Sequence, residues 1–256
     1  MPGRFCFLKD RFMFEGLYSR LLRLEGDVGN RRIFSPWAYQ VVREQQMIPV
    51  VHMEALDLAA WYPLVWLRDE GGAELLALRS FLTRGEGHAP NALRITRALP
   101  LLLQAYPFAS PPDLPTSSMF VDDAVADEPD NNGATILASN GTPSKASTQR
   151  MYAAAYFRSA YDITREMSAY LDAAGLLEPW VMGLPEDPPL GPFPAFLILR
   201  PSAFASDAFR PFVQTFGLAG MRLLNAHALS LYRASVLYQN ARRALAPRQL
   251  AGLASA

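Results

Sequence analysis

A chain of 256 residues, half of them hydrophobic and 19% charged, can bury a core and is not a disordered segment. Its 24 basic and 24 acidic residues cancel, which speaks against a dedicated nucleic-acid binder, because such proteins carry a basic excess. The single cysteine, Cys6, excludes an intrachain disulfide and a cysteine-built zinc site, and His52, His88 and His227 stand too far apart to form a local metal motif.

Phe5 to Leu8 is shorter than the ~7–15 apolar residues of a secretory leader, and no apolar run approaches the ~20 residues of a membrane span. A soluble, cytoplasmic protein is expected, with leaderless export as the remaining route to a surface. Residues 9–25 mix leucine and phenylalanine with arginine at the spacing of a short amphipathic helix. A polar turn follows over Gly26–Arg32. Ser35-Pro36-Trp37 offers a cap and a proline for a second short helix over about 36–46.

Strand character begins at Met47–Met53, where Pro49 cannot donate a ladder hydrogen bond and so marks an edge strand or a strand entry. After a helical turn at Ala55–Ala60, Tyr62–Arg68 and Ala73–Ser80 flank Asp69-Glu70-Gly71-Gly72, a β-hairpin pattern. Residues 83–92 read as a loop and 94–105 as a helix ending near Tyr106, ahead of Pro107. The polar stretch 109–148 holds two apolar islands, Met119-Phe120-Val121 and Ile136-Leu137, expected to pair into the sheet while the tip Asp127–Gly133 stays mobile.

Thr148 is expected to cap a long helix whose stripe is Tyr152, Tyr156, Ala160, Ile163, Met167, Leu171 and Ala174, ended by Gly175. A proline-rich linker over 183–194, a last strand to Leu199 and a short helix from Pro201 to about Phe209 come next. A final helix over about Leu218–Ala244 is apolar on most of its circumference, which predicts burial, and the tail after Pro247 should fray. The order predicts an α+β fold. A small antiparallel or mixed sheet packs against a long, largely buried C-terminal helix and a second amphipathic helix. Residues 1–46 form a helical extension packed on a domain spanning 47–246, with 247–256 as tail.

Several segments in this order resemble the bacterial SapC family over residues ~47–245. They are Met47-Ile48-Pro49-Val50-Val51-His52-Met53-Glu54, Trp61-Tyr62-Pro63-Leu64-Val65-Trp66, Gln104-Ala105-Tyr106-Pro107-Phe108 and Phe120-Val121-Asp122-Asp123. Gly141-Thr142-Pro143-Ser144, Gly175-Leu176-Leu177-Glu178-Pro179 and Asn225-Ala226-His227-Ala228-Leu229-Ser230-Leu231 complete the set. The chain departs from the family pattern at Leu78-Arg79-Ser80-Phe81 and at Leu199–Ala205. The resemblance implies an association with surface-layer gene regions and defines no reaction.

Candidate chemistry is sparse. His227 shares a helical stripe with Leu223 and Leu231, the setting of a core histidine, and could serve as a general base only if a carboxylate came from elsewhere. His88 lies in the predicted loop beside Glu86 and Asn91. Asp122 and Asp123 are strand neighbours that point to opposite faces, so they do not make an acid/base pair. Arg94 and Arg97, one turn apart after Asn91, could hold a carboxylate or phosphate. Trp61, Tyr62, Trp66, Tyr106 and Phe108 could line one aromatic cleft, although core packing is the commoner use of such Tyr-Pro corners. No phosphate loop, nucleophile elbow or dinucleotide turn occurs, and neither metal nor cofactor is expected.

The reading is a SapC-like, non-catalytic binding or accessory protein that recognises a protein, peptide or surface component, with no nucleic acid and no membrane span. The alternative is a small enzyme, or the substrate-binding subunit of a modifying enzyme, using His227 or the His88 loop.

Overall fold

The computed structural model describes residues 16–24, 26–82, 98–112, 114–115, 118–129, 131–184, 190 and 193–253, with backbone alone for 26, 27 and 247–253. In chain order the elements are β1 (Leu21–Arg23), a 3-10 turn at Gly26–Asn30, β2 (Arg32–Ile33), a 3-10 turn at Pro36–Ala38, α1 (Gln40–Glu44), β3 (Met47–Pro49) and α2 (Ala55–Ala59). Then come β4 (Leu64–Asp69), β5 (Gly72–Leu78), α3 (Leu101–Ala105), β6 (Phe108–Ala109), β7 (Phe120–Asp122) and β8 (Ala134–Thr135). The chain continues with α4 (Lys145–Ala173), β9 (Leu177–Pro179), β10 (Phe196–Leu199), a 3-10 turn at Pro201–Ala205, α5 (Phe209–Ser230) and α6 (Arg233–Leu253).

The predicted hairpin is the centre of the main sheet. Asp69 pairs with Gly72, so the connection is the two residues Glu70 and Gly71, and the Asp69 carboxylate accepts the Gly71 N–H at 2.7 Å. The sheet has five antiparallel strands in the order β3-β5-β4-β10-β9. β3 lies at the edge, where Pro49 costs no ladder bond.

Side chains alternate across a strand, and both faces of β4 and β5 are apolar. Leu64, Trp66, Leu75 and Ala77 pack with Phe157, Tyr161 and Leu171 of α4 and with Leu223 and Leu224 of α5. Val65, Leu67, Leu76 and Leu78 pack on the other face with Ala234, Leu237, Tyr238 and Ala241 of α6.

The α+β architecture is thus as read, and the largest revision concerns the C-terminal helix. The expected single C-terminal helix over 218–244 is two helices parted at Leu231 and Tyr232, and they cover opposite faces of the sheet. Ser230 helps mark the break: its hydroxyl donates to the His227 carbonyl at 2.7 Å and accepts the Leu64 N–H at 2.9 Å. The α5 segment also kinks at Gly217 (φ +53°), just ahead of the expected start at Leu218. α6 runs on past Pro247 to Leu253, where the composition suggested a frayed tail.

α4 is capped by Ser144, whose hydroxyl accepts the Ser147 N–H, and not by Thr148. Its buried stripe is Arg150, Ala154, Phe157, Tyr161, Thr164, Ser168 and Leu171, at alternating spacings of four and three. Of the predicted stripe, Ala160, Met167 and Leu171 are buried, whereas Tyr152, Tyr156 and Ile163 are exposed. Polar residues can occupy the buried face because each is satisfied there. Thr164 donates to Ala160 O and accepts the His52 N–H, and Ser168 accepts the Trp66 indole N–H at 3.0 Å. Gly175 (φ +63°) ends the helix as predicted, with Leu176 N–H on Leu171 O at 2.9 Å and the Leu176 side chain fully buried.

The first apolar island forms a strand, in a minor sheet and not the main one, whereas Ile136-Leu137 lies just past β8 and makes only an isolated bridge from Leu137 to Pro143. β7 pairs with β1 and β6, and β8 pairs with β2. The N-terminal stretch is therefore stitched in by strand pairing. Leu21–Arg23 is β1 where a helix was expected, and the first half of that expected helix, up to residue 15, lies outside the described residues. The expected helix over 36–46 is a 3-10 turn and α1, separated at Tyr39. The helix expected from residue 94 begins, within the described residues, at Leu101, because Pro100 holds its N-terminus. Asp127, at the start of the predicted mobile tip, is anchored: it accepts the Gln40 N–H at 2.6 Å and pairs with Arg43.

Candidate functional site

Where β7 ends, the chain places a carboxylate among three tyrosines. Asp122 is 3% exposed. Its Oδ1 accepts the Ser19 N–H at 3.1 Å, the Ser19 hydroxyl at 3.0 Å and the Arg20 N–H at 2.7 Å, and its Oδ2 accepts the Tyr106 hydroxyl at 2.6 Å. Tyr18 stacks on Tyr106 at 5.6 Å, and Tyr39 meets Tyr106 edge-on at 5.0 Å. The Tyr18 hydroxyl donates to Phe108 O at 3.0 Å. Asp123 points the other way, to Arg20 and Arg31, as strand alternation requires.

Arg150 reaches this cluster from the buried stripe of α4. It is 8% exposed, donates to Tyr106 O at 2.6 Å and lies beside the Tyr39 hydroxyl. Burial, followed by the Asp122 charge, pushes the Tyr18 phenol up. Burial and then the hydrogen bond to Asp122 do the same to Tyr106, and burial lifts Tyr39 against the pull of Arg150. All three phenols stay protonated at neutral pH, so they serve as hydrogen-bonding walls and not as bases.

Two cavities flank the cluster. One, of about 410 Å³, is lined by Leu17, Tyr18, Tyr39, Tyr106, Asp122 and Ala124, with Gln40, Val125 and Asp127 among its other lining residues. The other, of about 470 Å³, lies where the β2–β8 ribbon meets the start of α4, and Arg150 lines it. Arg150 thus joins the two: it contacts tyrosines of the first cavity and forms part of the wall of the second.

The sequence candidates fare unevenly. Tyr106 lines the first cavity, but Trp61, Tyr62, Trp66 and Phe108 line neither. Tyr62 is buried beside Arg79, a fully buried guanidinium that donates to Val42 O and Gln45 O, both at 2.9 Å, at the end of α1. The expected cleft of Trp61, Tyr62, Trp66, Tyr106 and Phe108 is therefore replaced by one of Tyr18, Tyr39 and Tyr106. His88, Asn91, Arg94 and Arg97 lie outside the described residues.

His227 is 1% exposed, and both ring nitrogens are engaged: Nε2 accepts the Leu199 N–H at 3.1 Å, so Nδ1 carries the proton and donates to Leu64 O at 2.7 Å. It ties β4 to β10 from α5 while its ring lies 4.7 Å from Trp66. Burial lowers its pKa to about 4. It is neutral at pH 7 and has no free nitrogen with which to act as a base.

Glu54 is a second buried titratable group of this kind. It accepts the Val51 N–H at 3.1 Å and the Leu101 N–H at 2.7 Å, and burial lifts it to about 8. Among the described residues no group of three His, Cys, Asp or Glu side chains could hold a metal ion, and no helix is long and apolar enough to cross a membrane.

Tyr18, Tyr39, Arg150 and the full role of Asp122 were not legible as site residues. The one usable signal was the competing α4 stripe through Ala154, Phe157 and Tyr161, which carries Arg150 inward. The SapC family model matches residues 29–188, beginning earlier than residue 47 and ending before α5. No curated protein and no solved structure matches the chain.

Proposed function

The chain belongs to the SapC family, and from that premise we propose that it is a non-catalytic binding or accessory protein, recognising a protein, peptide or surface component through the tyrosine- and arginine-bearing cluster and the two cavities that flank it. The observation that carries the reading is the Tyr18–Tyr39–Tyr106–Asp122–Arg150 cluster set between two cavities of about 410 and 470 Å³. Such volumes suit a small ligand or a few residues of a peptide. Tyrosine and arginine supply contact area with polar tips, the combination favoured at recognition surfaces.

Binding is favoured over catalysis because the groups that would act as acid or base are committed. His227 uses both nitrogens, Asp122 accepts four hydrogen bonds, and the tyrosine phenols are pushed away from neutrality. The test is photo-crosslinking from the full chain with a reactive residue at Val125, a lining residue 88% exposed, against a control at Val181, which is 89% exposed and lines neither cavity. Capture of one defined partner from Val125, lost when Ala124→Trp fills the first cavity, supports the reading. Equal labelling from both positions overturns it.

A further inference from the structure

We propose that the second cavity, lined by Arg150, binds an organic carboxylate carried on an apolar body; this deepens the binding reading above and rests on it. The cavity of about 470 Å³ has an apolar wall built from Ile33, Phe34, Ala134 and Ala146. Its polar lining residues are Ser35, Asn131, Asn132 and Arg150, with no acidic side chain among the described lining residues. A mostly apolar pocket with a few polar groups is the usual form of a small-ligand site. Arg150 is the one charged residue among the described lining residues, so charge complementarity selects an anion, and the apolar wall selects an organic acid over a bare inorganic anion.

Three features show that the wall is set in advance. Arg150 is 8% exposed and is held by Tyr106 O at 2.6 Å, so its planar fork costs little further entropy to use, and its low-dielectric surroundings strengthen an ion pair. Ser35 precedes a 3-10 turn and its side chain makes no capping bond to it, so among the described residues its hydroxyl is not tied to the turn. The opposite lip, Asn131–Gly133, is clamped: Arg32 donates to Asn132 O at 2.7 Å, and Asn131 Oδ1 accepts the Gly133 N–H at 2.7 Å. Gly133 packs so tightly that a Cβ would lie 2.9 Å from Ile33 O and from a Phe34 ring carbon.

The test uses the full chain with 15N-arginine and methyl-labelled alanine, titrated with N-acetylphenylalanine and separately with its C-terminal amide. The acid is expected to shift the Arg150 Nε–H and the Ala134 and Ala146 methyls saturably, and the amide to bind at least about tenfold more weakly, the loss expected for a charge-assisted fork. Arg150 also supports the fold, so Ala146→Leu, which fills the cavity from the half-buried first turn of α4, supplies a second variant that should abolish the acid's shifts.

A free-acid hexapeptide ending in phenylalanine distinguishes sources. Binding at least as strong as that of the amino acid identifies a peptide C-terminus, and binding of the amino acid alone identifies a small acid. Equal shifts by acid and amide, no saturable shift, or acid binding untouched by Ala146→Leu overturns the proposal. Crosslinking from Val125 that survives such a result leaves the wider binding reading in place.

Discussion

Two buried polar networks, one around His227 of α5 against the main sheet and one around Asp122 at the end of β7 in a minor sheet, are alike in burial and differ in access. His227 is 1% exposed and Asp122 is 3% exposed, and both are fully engaged in hydrogen bonds. Backbone groups of β4 and β10 and the Trp66 ring enclose His227, whereas Asp122 lines a cavity of about 410 Å³. Saturated hydrogen bonding therefore marks a polar group as structural in the first place. An adjoining cavity decides whether it is also within reach of a ligand.

That contrast can be broken at either end. Asp122→Ala should have the largest effect, roughly 4 kcal/mol of stability, because it strands two backbone amides and the Tyr106 hydroxyl. Denaturant unfolding reads the loss, and amide exchange should quicken first in β1 and β7. His227→Ala should cost about 3 kcal/mol through the lost ring volume and two orphaned backbone groups. Its exchange signature should fall on Leu199 and its neighbours in β4 and β10. If both variants loosen the same amides, the two networks are one cooperative unit and the contrast fails.

Glu54 sharpens the comparison through pH. Its carboxyl is lifted from the usual 4.5 to about 8 in the folded chain, so between those values the folded state holds a proton that the unfolded state has released. Stability is greatest below the unfolded value and falls as pH rises toward 8. From about pH 7 to 8, where His227 is neutral in the folded state and largely neutral in the unfolded one, melting should report a loss of about 1 kcal/mol per pH unit, absent in Glu54→Gln. His227 works in the opposite sense at lower pH: its value is lowered from 6.5 to about 4, so its contribution is lost as pH falls through that window. The smallest expected effect belongs to α4. Tyr156→Ala should change stability by less than about 0.5 kcal/mol, since that ring is 45% exposed. A loss several times larger would restore the stripe predicted from sequence.

Legibility followed how local the deciding interactions were. The hairpin, the proline-marked edge strand and the Gly175 cap could be read because each is set by a few adjacent residues: an Asp-Glu-Gly-Gly turn, a missing N–H, a positive φ. The α+β class followed from the order of such segments. The phase of α4 could not be read, because two stripes of comparable spacing compete. The winning one carries Arg150, Thr164 and Ser168, whose burial becomes tolerable only when Tyr106, His52 and Trp66 arrive from elsewhere in the chain. The same holds for the C-terminal helix, where apolar residues on all sides signalled burial but not that α5 and α6 would take opposite faces of one sheet.

The sequence by itself determined the class of fold, the central hairpin and the absence of a disulfide framework, all consequences of local backbone preference and composition. Only the tertiary structure decided the site. Tyr18, Tyr39, Tyr106, Asp122 and Arg150 come from five separate stretches of chain, and no spacing rule links them. What unites them is the need of one buried carboxylate and one buried guanidinium to find partners once water has been excluded.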